Sequence, residues 1–171
     1  MNIYEIDAQK TIEESFLTYA GYVIQFRSIP DARDLLKYST RQLLYSQFKN
    51  KVMSPAEKRK ATVSVGDAMK EFYVHGDAPC YGTFVRMAKP FAMRYPLEES
   101  KGNVGTLVDP ENHSQARYVE LRGSELASEL FSSLNKNTID EWRDNYDQTT
   151  TFPMVLPSVG FYNIVNGVSG I

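Results

Sequence analysis

The chain is poor in the residues that build covalent or metal frameworks. Its 171 residues include one cysteine and two histidines. One cysteine excludes an internal disulfide, and so few Cys and His exclude a four-ligand Cys/His zinc site. No apolar run approaches the roughly 18 residues that a membrane span requires. Neither sign of charge dominates, since 19 Lys+Arg face 21 Asp+Glu for a net charge of −2. Bulk charge therefore does not advertise nucleic acid, and any basic footprint must be local. The opening MNIYEIDAQKTIEE has no basic start followed by an apolar block, which predicts a cytoplasmic protein. No internal repeat is present. A chain of this length is one domain, or one with an appendage, and needs no staple to bury its core.

What is present is helical punctuation. Between Thr11 and Phe26, Ile12, Phe16, Tyr19, Ala20, Val23 and Ile24 recur at three- and four-residue spacing, with Thr11 and Glu14 as a capping box. Pro30 ends that segment. Asp34 is placed to cap a second helix, Leu35 to about Phe48, with Leu36, Leu43, Leu44 and Phe48 on its apolar stripe. Ser54-Pro55-Ala56-Glu57 reads as the start of a third, running to about Phe72. After the break at His75-Gly76, Asp77 is a cap for a fourth helix to about Ala88. Two helices joined by a short glycine-containing turn form a helix-turn-helix pattern. Beyond Pro90, strand-like pieces at Thr106–Val108 and Ala116–Leu121 lie among turn residues. Ser124 caps a fifth helix to about Leu134, and Asn145 to Ile171 reads as irregular. The expected class is α+β, mainly helical, with a helix-turn-helix followed by a short β wing.

The basic residues cluster. Lys49, Lys51, Lys58, Arg59 and Lys60 form one group, Arg27, Arg33, Lys37 and Arg41 a second, and Arg86, Lys89 and Arg94 a third. Acids concentrate at Glu98–Glu99 and in Asp140–Asp147. The near-neutral total thus hides a dipolar chain whose helical part could carry a positive face.

The motifs taken in order resemble those of one family. Arg27-Ser-Ile-Pro30-Asp31-Ala-Arg33-Asp34-Leu-Leu36-Lys37, Val65-Gly66-Asp67 and Tyr73-Val-His75-Gly76-Asp77 come first. Val85-Arg86-Met87-Ala88, Met93-Arg94-Tyr95-Pro96-Leu97, Gly102-Asn103-Val-Gly105 and Ala116-Arg117-Tyr118-Val-Glu120-Leu-Arg122 follow. Asn145-Tyr146-Asp147 and Asn166-Gly167-Val-Ser169-Gly170-Ile171 complete the series. Together they resemble the breakage–reunion subunit of bacterial type IIA topoisomerases (gyrase and topoisomerase IV A subunits), from about Thr11 to Ile171.

The resemblance implies a winged-helix DNA-gate domain at the N-terminal part of a larger protein. Residues 1–26 would be an arm and first helix, 27–135 the winged-helix cleavage domain, and 136–171 the start of the tower region. The chain is then expected to be a fragment or a truncated product. The implied reaction is attack of a Tyr118 hydroxyl on a DNA phosphate, leaving a transient 5′-phosphotyrosyl link. A phenol with an ordinary pKa near 10 is a better leaving group than a serine alkoxide, yet it needs nearby cations or a base at neutral pH. Arg117 is the implied transition-state cation. His75 corresponds to the family's second histidine beside the scissile phosphate, and Arg27 to an arginine near the tyrosine of the opposite protomer. Lys37, Arg41 and Arg86 would contact DNA, and Ile171 would wedge between base pairs.

This sequence departs from the family at Tyr73 and Thr40 (histidines elsewhere) and at Gln42 (an arginine elsewhere). Fewer cations imply weaker, less salt-sensitive DNA binding. Ala78 and Gly82 replace the hydroxyl and acid that hold a quinolone-bound magnesium through water. No metal ligands are assigned to this chain: Mg2+ and ATP belong to the implied partner, an ATPase/TOPRIM B subunit. The other expected partners are double-stranded DNA and a second copy of the chain, with no membrane, in a cytoplasmic, nucleoid-associated enzyme. The alternative is a winged-helix DNA-binding or partner-binding module that has lost its chemistry.

Overall fold

The computed structural model describes residues 7–134, 138–139 and 141–167. Six helices and five short strands follow one another along the described chain. Helix α1 is Ala8–Val23, continued by one π turn, Ile24–Ser28. Helix α2 is Tyr38–Lys49, strand β1 Arg59–Lys60, α3 Ala61–Glu71 and α4 Asp77–Met87. Strands β2 (Glu98–Lys101) and β3 (Glu120–Gly123) precede α5 (Glu125–Ser132). Strands β4 (Trp142–Asp144) and β5 (Thr151–Pro153) form a hairpin before α6 (Pro157–Asn166). The α+β class expected from sequence is met. No described helix is long and apolar enough to cross a membrane.

The core lies where α2, α3 and α4 pack on one another and on the sheet. Leu43, Leu44, Ala68, Phe84, Val119, Leu121 and Phe131 are fully or almost fully buried there. Three antiparallel strands run in the order β1-β3-β2, with Arg59 opposite Leu121 and Ser100 opposite the same residue from the other side. Ser124 caps α5 as its sequence position predicts, accepting from the Ala127 amide at 3.2 Å.

Several boundaries differ from the sequence expectation. Helix α1 is capped by Asp7, not by a Thr11–Glu14 box, and buries none of its residues. Its apolar spacing is real, but nothing in the described chain covers it. Ser54–Glu57 is a turn and not a helix start: the chain next pairs through β1 with β3, and the Ala61 amide bonds the Val119 carbonyl at 2.8 Å. Tertiary pairing overrides the local capping signal. The strands after α4 are Glu98–Lys101 and Glu120–Gly123, while Thr106–Val108 is loop and 116–118 a turn. The stretch from Asn145 holds β5 and α6; α6 packs on α5, and the Leu156 amide just before it donates to the Asp34 carboxylate at 2.9 Å.

Candidate active site

Tyr118 stands at the end of a tight turn, its amide bonded to the Gln115 carbonyl at 2.9 Å. The next residue, Val119, is fully buried and bridges the sheet to α3. Tyr118 is therefore anchored from behind and 63% exposed in front. Gly102 makes this approach possible. Its φ is +120°, and a Cβ there would stand 3.1 Å from the Tyr118 carbonyl oxygen and 3.3 Å from the Val119 Cα. The guanidinium of Arg117 lies 4.8 Å from the Tyr118 ring centroid. The turn is tied to α4, because the Tyr81 hydroxyl donates to the Ser114 carbonyl at 2.5 Å.

A second group forms around α1 and the head of α4. Gly76 takes φ +51° before α4, which turns His75 out of the helix. Arg27, carried by the π turn, places Nη2 2.8 Å from Nε2 and 3.1 Å from Nδ1 of His75. A guanidinium can only donate, so this contact requires a neutral imidazole. Desolvation, with the Arg27 charge second, holds the His75 pKa below its ordinary value. The pair lines a cleft of about 660 Å³ whose walls include Tyr22, Phe26, Tyr38, Tyr73 and Phe152. Within one chain, no described contact joins this group to Arg117–Tyr118.

The remaining expected residues fall in different places. Lys37 is exposed at the N-terminal end of α2, and Arg86 is exposed in the last turn of α4. Ile171 lies outside the described residues. Arg41 is enclosed. It is 2% exposed and makes a bidentate pair with Asp34, Nε at 2.6 Å and Nη2 at 2.8 Å. The Asp34 carboxylate also accepts from the amides of Leu36 and Leu156. Through Asp34, Arg41 links α2 to the segment leading into α6, and its guanidinium is turned inward and not presented at the surface. Gln42 is buried too, donating to the Phe72 carbonyl at 2.9 Å. Lys49, Lys58, Arg59 and Lys60 each pair with a carboxylate, which neutralises much of the positive face expected from sequence.

A family profile for the A subunits of DNA gyrase and topoisomerase IV matches residues 27–171. The chain belongs to that family. The DNA gyrase A protein of Thermotoga maritima is 42% identical over 171 residues, covering 98% of this chain and 21% of the relative. Its Pseudomonas aeruginosa counterpart is likewise 42% identical, with 99% of this chain and 18% of the relative covered. One from Helicobacter pylori is 39% identical over 170 residues, with 99% and 20% covered. The chain thus spans about a fifth of the length of these gyrase A proteins.

Two features of this gyrase-family chain escape the sequence reading. By sequence Asp34 is a helix cap; only the fold shows it as a buried hub. Arg143 has no sequence signal beyond being a lone basic residue inside the acid-rich 140–147 stretch. Cys80 is fully buried, and burial pushes its thiol up to about 12, so it is no nucleophile. Among the described residues, no three His, Cys, Asp or Glu side chains gather as metal ligands.

Proposed function

We propose that this chain is the DNA-cleaving part of a type IIA topoisomerase, a winged-helix DNA gate with Tyr118 as nucleophile. Helices α3 and α4 serve as the helix-turn-helix, and β2–β3 as the wing. The observation that carries the reading is the exposed Tyr118, held on a hydrogen-bonded turn with a guanidinium on its ring. The phenolic oxygen attacks phosphorus, the Tyr O–P bond forms, and the bond from phosphorus to the 3′ oxygen breaks. The phenolic proton leaves to a base, and the 3′ oxygen takes up a proton. Resealing reverses these steps without ATP, because the phosphotyrosyl ester keeps the phosphodiester's energy.

Arg117 stabilises charge developing on the phosphoryl oxygens. In a homodimer, the Arg27–His75 pair of one copy serves Tyr118 of the other, which accords with the separation of the two groups within a chain. The neutral imidazole can accept a proton, and Arg27 can hold a phosphate. Mg2+ and ATP are supplied by an ATPase/TOPRIM B subunit, and the whole assembly passes one duplex through another. Loss of cations at Gln42, Tyr73 and the enclosed Arg41 favours, as a second reading, a DNA-binding module without chemistry.

The test is covalent trapping of DNA by the full-length protein with its partner. Tyr118→Phe is expected to abolish the protein-linked DNA, and Arg117→Ala to slow its formation by ~10²–10³-fold. Undiminished cleavage by Tyr118→Phe overturns the chemistry, and absence of cleavage by the wild type with retained DNA binding supports the second reading.

A further inference from the structure

The Arg27–His75 cleft holds another cation. Arg143, on β4, lines the same wall, and its guanidinium carbon stands 5.0 Å from the Phe26 ring centroid. Phe26 is the residue before Arg27 in the π turn, so the two guanidinium groups are presented from one short segment of the cleft. Arg143 is exposed, and no described carboxylate forms an ion pair with it. Arg33, Arg41, Arg59 and Arg122 are each paired with an acid. An aromatic face positions a guanidinium while leaving its charge and its donors available. Asp144 is the one carboxylate on the lining, and it too is exposed and without an ion pair among the described residues.

The strand carrying Arg143 is fixed rather than loose. Arg143 pairs in register with Phe152, whose ring packs edge-on against Tyr38 at 5.5 Å. Just beyond it, Asn145 Nδ2 donates to the Glu71 carbonyl at 2.8 Å, and the Tyr146 hydroxyl donates to the Lys70 carbonyl at 2.8 Å. These bonds tie the hairpin to the end of α3. Neighbouring polar groups in the cleft, Gln42 and Tyr73, are buried and uncharged.

We propose that Arg143 is a phosphate-binding residue of this cleft, gripping the DNA backbone beside the phosphate handled by Arg27 and His75. The inference rests on the topoisomerase reading for the identity of the anion as a DNA phosphodiester. Its planar fork donates two parallel hydrogen bonds to phosphoryl oxygens while the other face stays on Phe26.

The test is duplex DNA affinity as a function of salt, measured on the full-length protein carrying Tyr118→Phe so that cleavage does not enter. Each phosphate contact adds about 0.9 to the slope of log affinity against log salt. Arg143→Gln keeps much of the length of the side chain and removes the charge; the slope is expected to fall by about one. Arg143→Lys keeps the charge and is expected to hold the slope, and Lys10→Gln, an exposed change on α1, leaves it unaltered. A slope for Arg143→Gln equal to the wild type overturns the proposal. So does an equal fall with Arg143→Lys, because packing on Phe26 and not charge is then the cause. If the slope falls as expected while the Tyr118 protein never links to DNA, Arg143 still binds phosphate and the cleavage reading alone fails.

Discussion

Arg41 and Asp34 illustrate how a side chain's partners decide its role. By type and position Arg41 is a phosphate ligand; by environment it is half of a buried bidentate pair. Breaking such a pair leaves an uncompensated charge, at a cost of roughly 3–5 kcal/mol. Arg41→Ala is therefore expected to lower the denaturant midpoint strongly while leaving the salt dependence of DNA binding as in the wild type. A lower salt slope at unchanged stability would return Arg41 to the DNA. His75 makes the complementary case. Its imidazole is held neutral by desolvation and by Arg27, with its pKa below the ordinary histidine value. If it serves Tyr118, cleavage stays high through neutral pH and falls only below the usual histidine range. A pH–rate profile with and without His75→Gln checks this, and an acid limb that survives the substitution removes His75 from the chemistry.

Among the elements, the three-stranded sheet shows what sequence can and cannot disclose. Ser124 announces α5, and the glycine-broken pair of helices α3 and α4 is visible in spacing and turn residues. The strands lie away from their expected positions because a four-residue strand such as Glu98–Lys101 has no alternation strong enough to stand out, and its pairing is wholly non-local. The π turn and the hairpin carrying Arg143 are illegible for a local reason: three-residue strands carry too little alternation to stand out, and a π turn differs from an α turn only in which carbonyl its amides reach. Tyr118 and Arg117 are legible only through motif resemblance, since eleven tyrosines offer no choice by composition.

Glu98, at the start of β2, is also a consequence of packing. It is 1% exposed, Gln47 Nε2 donates to it at 3.0 Å, and its other carboxylate oxygen has no partner among the described residues. Burial pushes its pKa up to about 8 from 4.5. The folded state thus binds the proton more tightly than the unfolded one. The associated stability is fully present below pH 4.5, declines as pH rises, and is lost above about 8. Its size is on the order of a few kcal/mol. Urea midpoints at pH 6.5 and 8.5 (chosen to straddle about 8) are expected to fall for the wild type and to change far less for Glu98→Gln. A steep fall in both places the titration elsewhere. Gly102→Ala is expected to destabilise the sheet and displace Tyr118, because φ +120° and the carbonyl at 3.1 Å both oppose a Cβ.

For the whole molecule, two incomplete clusters lie on one chain: a nucleophile with its arginine, and a cleft with Arg27, His75 and Arg143. On the proposed reading, a two-fold assembly completes both at once. The head of α4 carries Ala78 and Gly82, neither of which offers a side-chain oxygen to a hydrated metal ion. Quinolones are accordingly expected to trap cleavage complexes poorly, and Ala78→Ser with Gly82→Asp to raise trapping; full trapping by the wild type, unchanged by the pair, contradicts this. Direct evidence for the chemistry comes from digesting the protein–DNA adduct formed by the intact assembly and sequencing the nucleotide-bearing peptide. A phosphodiester on the Tyr118 oxygen, attached to a DNA 5′ end, is the expected product. An adduct on any other side chain, or a 3′ linkage, contradicts the assignment of Tyr118.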